Sequence, residues 1–305
     1  MKRLIKNGLI ITITIVFLTS CSHGIKSNET NSKNIFMGNI FNSNNEHISY
    51  MTTDENPIEK ETPIYLYIVT KKGKAKIYDG TGDTTLGDVS KMDEDEIKDR
   101  MKKEDKKWFE KDKKDTIGYL EKGSSTVKDV KEGFKGDKDI VEETKTYKNS
   151  KEYVDKYGNI PQKYLDKIEN LKYKEPKFNN IKISVKTDSS GNKTQKEKFK
   201  FQMHGFKQED YKGPEEGSDK YYYMKTAVTN SATYTDKYNL EREFEDTVAV
   251  TDIYDKKYAG LSFLDEDEDE AEAHYLITEV GNKTKEMKFD KPKAKYIDYV
   301  DGEKQ

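Results

Sequence analysis

The strongest constraint on folding is the cysteine content, because the 305-residue chain contains one cysteine, Cys21. No disulfide can form within the chain, so the fold must be held together by packing alone. Only 32% of the residues are hydrophobic and 37% are charged. The 21 tyrosines and 12 phenylalanines compensate, since each aromatic side chain buries a large area. We therefore expect a small aromatic core under a highly charged surface.

The N-terminal region is typical of a secretory signal. Lys2, Arg3 and Lys6 give a basic start, and an apolar run of 11 residues, 8–18, follows. A transmembrane helix needs roughly 20 apolar residues, so this run is too short to span a membrane. The pattern predicts that residues 1–20 are a cleaved signal peptide. The alternatives are an ordinary signal peptide without lipidation, or an uncleaved anchor beside a chance cysteine.

Leu18, Thr19, Ser20 and Cys21 resemble the lipobox of bacterial lipoproteins. The resemblance implies cleavage between Ser20 and Cys21, with diacylglycerol on the Cys21 thiol. A single acyl chain binds a membrane only marginally, at roughly 0.8 kcal/mol for each buried CH₂, whereas two chains anchor durably. A lipidated Cys21 also excludes thiol catalysis and cysteine-ligated zinc.

The N-terminal signal and the amino-acid composition of the chain also resemble those of a known group of proteins. Its short Lys-rich signal, its lipobox and its abundance of Lys, Asp, Asn and Tyr are similar to surface lipoproteins of Gram-positive bacteria, staphylococci in particular. The resemblance implies a location at the cell membrane, lipid-anchored on the extracellular face. It carries over no functional residue except Cys21.

The charge of the mature chain argues against nucleic acid as a partner. Removal of residues 1–20 takes away three basic residues and leaves 52 Lys and Arg against 58 Asp and Glu, a net charge of −6. Proteins that bind nucleic acid or anionic lipid headgroups concentrate positive charge on one face. Here both signs are interspersed along the chain, so we expect no nucleic-acid partner.

The first half of the mature chain predicts a tether and an α+β domain. Residues 21–34 are polar and predict a lipidated flexible tether. Within the α+β domain, residues 35–176, a hairpin is predicted from the β-prone runs on either side of a glycine-containing turn at 71–74. A long charged helix is predicted near 90–115, N-capped by Ser90 and buried along Ile97, Met101 and Trp108. Two shorter helices are predicted over 150–157 and 161–171.

Residues 177–305 predict an all-β domain. Apolar residues alternate with polar ones at Ile181, Ile183 and Val185, and again at Phe199, Phe201 and Met203. Turn residues lie between these runs, and five further β-prone runs follow. We expect an antiparallel β-sandwich-like domain, and hence an α+β fold class for the whole protein.

The acidic run at 265–270 is the most conspicuous charged cluster. Asp265, Asp267 and Asp269 have the spacing that opens a calcium loop, but Glu270 replaces the glycine and Leu276 the bidentate glutamate. We interpret the run as a solvated loop and keep the three aspartates as weak candidates for a divalent cation. The four histidines, His23, His47, His204 and His274, show no His-x-x-x-His or His-x-Glu pairing, so no metal site is predicted at them.

Three consecutive tyrosines, Tyr221, Tyr222 and Tyr223, form an aromatic patch. On a strand, Tyr221 and Tyr223 would share one face and could serve as a binding patch, although a chain poor in aliphatic residues also needs tyrosines for its core. No nucleophile elbow or phosphate-binding loop occurs in the sequence. We therefore predict no catalytic residues and no cofactor.

These observations favour a non-enzymatic, lipid-anchored surface protein that binds an unknown protein or small-molecule partner, or that faces a host. The membrane itself is a partner through the Cys21 lipid. The alternatives are a solute-binding receptor of a transporter and, with less support, a cell-envelope enzyme or foldase.

Overall fold

The computed structural model describes residues 27–54, 57–133, 162–208, 232–265 and 272–301. The helices in these ranges are α1 (Met37–Phe41), α2 (Leu86–Ser90), α3 (Glu94–Gly133) and α4 (Gln162–Glu169). The strands are β1 (Asn34–Phe36), β2 (His47–Asp54), β3 (Ile64–Lys71), β4 (Lys74–Asp79), β5 (Asn179–Asn180), β6 (Lys182–Thr187), β7 (Thr194–Gln208), β8 (Ala232–Phe244), β9 (Asp246–Ile253), β10 (Lys256–Asp265), β11 (Glu272–Val280), β12 (Glu286–Lys288) and β13 (Tyr299–Asp301).

The strands form two main sheets. Seven strands pair antiparallel in the order β5-β4-β3-β2-β11-β10-β9. Four strands form a second sheet in the order β13-β6-β7-β8, in which β13 pairs parallel with β6. A short parallel pair joins β1 to β12. The mixture of helices and antiparallel sheets confirms the predicted α+β fold class.

The core lies on both faces of the seven-stranded sheet. On one face, Phe41, Phe199 and Phe244 belong to a cluster that fills the space against the four-stranded sheet. On the other face, Tyr67 and Ile97 belong to a cluster that includes α2 and the start of α3. The largest fully buried side chains confirm the expected aromatic core: Tyr50, Tyr67, Tyr78, Tyr258, Phe41, Phe199, Phe201 and Phe244.

The predicted hairpin is confirmed as β3 and β4. Lys72 and Gly73 connect the two strands with positive φ angles of 52° and 71°. Two consecutive residues of this kind match the right-handed twist of the flanking strands. The turn brings Thr70 opposite Ala75 and Tyr67 opposite Tyr78.

The boundary predicted at residue 176 does not separate two sheets. Strand β2, from the first half of the chain, pairs with β11 from the second half, with Leu276 opposite Met51. The seven-stranded sheet therefore takes strands from both predicted domains. Local alternation of apolar residues identifies strands but carries no information about which distant strand each one pairs with.

The predicted tether at 21–34 is too long, because the chain contacts the folded part from residue 27. Thr30 is buried, and its carbonyl accepts hydrogen bonds from the Gly281 amide and the Thr284 hydroxyl. The Lys33 carbonyl accepts from the Lys285 amide at 2.9 Å. Polar composition did not reveal these contacts because backbone groups make most of them.

Helix α3 starts later than predicted and buries a different face. Ser90 ends α2, whereas Asp93 caps α3 through reciprocal 2.9 Å hydrogen bonds with Glu96. Ile97 and Met101 are buried as predicted, but Trp108 is 36% exposed and Phe109 takes its place in the interior. Asp105 therefore lies on the buried face, four residues from both Met101 and Phe109.

Of the two short helices, the one predicted over 161–171 is confirmed as α4, with Ile168 buried against α3 and β7 residues. The helix predicted over 150–157 lies outside the described residues.

Candidate metal centre

Three side chains with metal-binding groups meet between helix α3 and the two sheets. Asp79 ends β4, Asp105 lies on the buried face of α3, and His204 lies in β7. One ligand atom from each residue lies within 4.8 Å of the other two. The fold therefore assembles the group from three segments that are far apart in sequence.

Local structure explains how Asp79 and His204 reach this point. After Asp79 the chain passes close to β3, and a Cβ at Gly80 would lie 2.5 Å from the Ile64 carbonyl oxygen. His204 lies where the pairing of β7 with β8 shifts register, between Met203 and Gly205. Irregularities of this kind redirect side chains away from the regular alternation of a strand.

Asp105 is the best-anchored member of the group, and its side chain is fully buried. Its Oδ1 accepts a hydrogen bond from the Asp79 backbone amide at 2.9 Å and lies 3.3 Å from His204 Nε2. Its Oδ2 accepts a 2.6 Å hydrogen bond from the Tyr173 hydroxyl. Within the described ranges, His204 is the one basic side chain that forms an ion pair with Asp105.

The pKa values of Asp79 and His204 are both shifted toward the protonated forms. Burial and the neighbouring Asp105 carboxylate raise the pKa of Asp79 to about 7, while His204 opposes the shift. Burial disfavours a charged His204, but the hydrogen bond to Asp105 and the charges of Asp105 and Asp79 outweigh it and raise the pKa of His204. A centre with these properties attracts positive charge.

A segment without regular secondary structure, residues 171–178, runs over the centre and is called the strap here. Besides Tyr173, the strap contributes Glu175, which accepts a 2.8 Å hydrogen bond from the Tyr78 hydroxyl. Lys76 and Lys102 form ion pairs with Glu175 at 3.5 and 3.7 Å. These contacts hold the strap across β4 and α3.

Aromatic rings lie around His204. The Tyr173 and Tyr234 rings have centroids 6.3 and 6.1 Å from the imidazole. Phe109 contacts Tyr173, Tyr234 and Phe206, with centroids 5.5 to 6.2 Å apart. This aromatic shell shields the imidazole and lowers the local dielectric, which strengthens electrostatic interactions.

The neighbouring Glu104 is buried, and its carboxylate is already occupied by hydrogen bonds. Its carboxylate accepts hydrogen bonds from the Tyr67 hydroxyl at 3.1 Å, from the Thr84 hydroxyl and from the Thr81 amide at 3.4 Å. Arg100 lies 4.0 Å away as an ion-pair partner. Glu104 therefore fixes α3 on β3 and on the segment that follows β4, and it leaves the ligand role to Asp105.

The candidate residues from the sequence fall almost entirely outside the described residues. Asp265 ends β10, but nothing is described of its side chain. Residues outside the described ranges are the cleavage and lipidation positions Ser20 and Cys21, the patch residues Tyr221 and Tyr223, and the acidic-run residues Asp267 and Asp269. The roles suggested for them stay predictions.

The spacing of the histidines indicates no partner for His204, because its partners lie 99 and 125 positions earlier in the chain. A local pattern cannot reveal them, but one signal was present. Asp105 continues the buried spacing of Ile97, Met101 and Phe109 on α3, and an acid at such a position needs a partner.

Across the described ranges, no helix combines the length and apolar character that crossing a membrane requires. Comparison of the chain with protein-family models, curated proteins and solved structures finds no match.

Proposed function

We propose that this protein is held on the extracellular face of the membrane by a lipid on Cys21 and that its folded part binds a divalent cation through Asp79, Asp105 and His204. The observation that carries the cation proposal is the convergence of three ligand atoms within 4.8 Å. The signal sequence and lipobox motivate the anchor.

The balance of charge supports a cation as the ligand. Asp79 and Asp105 bring two carboxylates together, and the salt bridges among described residues pair neither of them with lysine or arginine. Burying carboxylates so close together is costly unless positive charge or a proton offsets them. A divalent cation supplies that charge.

Asp79 is the least buried member of the centre. It is half-buried and its carboxylate has no hydrogen bond from the described residues, whereas Asp105 and His204 are buried. A cation would therefore meet Asp79 first and complete its coordination with the two buried ligands. A bound cation agrees with a binding protein and with the alternative of a solute receptor.

Calorimetric titration of the full chain, purified in detergent, tests the cation proposal. We expect one Zn²⁺ or Co²⁺ per chain, and at least about 10-fold weaker binding in Asp79→Asn and in His204→Gln, because each variant loses one ligand. His274→Gln is the matched control, since the His274 ring stacks on Phe263 away from the centre. Absence of binding, or wild-type affinity in both ligand variants, would overturn the proposal.

The anchor is tested separately by Cys21→Ala. Without a thiol for diacylglycerol, we expect the protein to move from the membrane fraction to the culture medium. Retention of this variant in the membrane fraction would count against lipidation at Cys21.

A further inference from the structure

We infer that the centre takes a small four-coordinate cation of the Zn²⁺ class, bound by Asp79, Asp105 and His204 with a fourth position left open. This inference rests on the proposed cation-binding function and goes further by naming the class of cation and its coordination. Three separate observations support it. They are the chemical type of the ligand atoms, the distance between two of them, and the hydrogen bond that orients Asp105.

The donor chemistry excludes the common hard cations. The group offers two carboxylates and one imidazole nitrogen. Ca²⁺ takes about 6–8 oxygen ligands, and Mg²⁺ requires an octahedron of oxygens and keeps several waters. An imidazole suits Zn²⁺ and its transition-metal neighbours, and three protein ligands with an open position are typical of zinc sites that bind a water or a substrate.

The spacing of the two buried ligand atoms supports four-coordination. Asp105 Oδ1 and His204 Nε2 lie 3.3 Å apart, which is long for a charge-assisted hydrogen bond. Zn–N and Zn–O bonds of about 2.0–2.2 Å at a tetrahedral angle place their ligand atoms about 3.4 Å apart. Adjacent ligands of octahedral Mg²⁺, at about 2.0–2.1 Å, lie only about 2.9 Å apart.

Asp105 is held in the orientation that a ligand requires. The Tyr173 hydroxyl occupies Oδ2 at 2.6 Å, so Oδ1 is the oxygen that faces His204. Hydrogen bonds of this kind orient metal ligands, and their loss typically weakens affinity about 10- to 100-fold. Tyr173 is therefore a positioning residue of the centre, and it comes from the strap.

Cobalt is the probe that reads coordination directly. We expect Co²⁺ added to the full chain to give the strong visible absorption of four-coordinate cobalt, and stoichiometric Zn²⁺ to abolish it. Excess Ca²⁺ or Mg²⁺ should leave the spectrum unchanged. Absence of Co²⁺ and Zn²⁺ binding would defeat the proposed function as well. Binding with the weak spectrum of six-coordinate cobalt, or displacement by Ca²⁺ or Mg²⁺, would overturn this inference alone.

The positioning role has its own matched pair of variants. Tyr173→Phe should weaken Co²⁺ binding about 10- to 100-fold and keep the four-coordinate spectrum, because the three ligands remain. Tyr78→Phe also removes a hydroxyl that joins the strap to its surroundings, but that hydroxyl contacts Glu175 and no ligand. It should bind Co²⁺ as the wild type does. Equal affinities for the two variants would contradict a positioning role for Tyr173.

Discussion

Two pairs of carboxylates in the described part of the protein lie close together in the interior, and their negative charge is offset in different ways. One is the candidate metal centre, in which the half-buried Asp79 and the buried Asp105 are accompanied by the imidazole of His204. The other is Glu197 and Asp290, which lie between β7 and the segment after β12 and are both completely buried.

Hydrogen bonds and close packing enclose the Glu197–Asp290 pair, which is called the closed pair here. Asp290 accepts hydrogen bonds from the Gly38 amide at 2.7 Å and from the Tyr296 hydroxyl, and its own amide donates to Glu197 Oε2 at 3.1 Å. A Cβ on Gly38 would lie 2.4 Å from Asp290 Oδ2, so the surroundings leave no room for a further group.

The closed pair therefore relies on a proton, whereas the centre would use a cation under the proposed function. Burial, followed by the hydrogen bond and the charge of Asp290, raises the pKa of Glu197 well above its ordinary value. Its Oε1 has no hydrogen-bond partner among the described residues. Under the proposed function, burial and the presence of an imidazole decide whether such a carboxylate pair is structural or binds a ligand.

The largest expected effect is on the closed pair. Asp290→Ala should lower the free energy of unfolding by about 2–6 kcal/mol, because it leaves the buried Gly38 amide and the Tyr296 hydroxyl without their acceptor at about 1–3 kcal/mol each. Urea unfolding measures the loss. Asp83→Ala, at an exposed aspartate, is the control and should leave the stability almost unchanged. A similarly small loss for Asp290→Ala would show that the pair is not a structural support.

The second-largest expected effect is stabilisation by a cation, which should depend on the candidate metal centre and not on the Glu197–Asp290 pair. Zn²⁺ at 100 times its dissociation constant should stabilise the wild type by about 2.7 kcal/mol, since it binds the folded protein. His204→Gln should lose this stabilisation, and Glu197→Gln should keep it. Thermal unfolding with and without Zn²⁺ measures both variants. Loss of the Zn²⁺ effect in Glu197→Gln would show that the closed pair takes part in cation binding.

The smallest expected effect is the change in the free energy of unfolding, per pH unit, that the proton on Glu197 causes. Its folded-state pKa lies above the ordinary value of 4.5, so the proton is bound more tightly in the folded protein. The stabilisation is complete below about pH 4.5 and is lost as the pH rises toward the folded-state pKa. Relative to the wild type, Glu197→Gln should therefore gain stability above pH 4.5 by up to about 1.4 kcal/mol per pH unit.

Urea unfolding from pH 4.5 to 8, with the exposed Glu243→Gln as the control, measures this difference. A constant difference between the wild type and Glu197→Gln across the range would mean that Glu197 is ionised in the folded protein.

The sequence predicted those elements whose signals are local. The hairpin of β3 and β4, the charged helix α3 and the aromatic core follow from runs of β-prone residues, charge density and the number of tyrosines. The pairing of β2 with β11 and the packing of Thr30 depend on contacts across more than 200 residues, which local patterns do not contain.

The metal centre was missed for a similar reason. His204 depends on a register shift in β7, and Asp79 on the end of an antiparallel strand, and neither feature has a sequence signature here. The prediction for Trp108 is wrong because the buried face of α3 runs through Phe109, and Asp105 lies on that same face.

The packing of Thr30 also limits how far the protein can stand from the membrane. Six residue-to-residue steps separate Cys21 from Ser27, the first described residue, and an extended chain spans at most about 3.6 Å per residue. With a lipid on Cys21, as proposed, the first described residue would lie within about 22 Å of the lipid headgroups. The folded part would then stay close to the membrane surface instead of extending far into the surrounding medium.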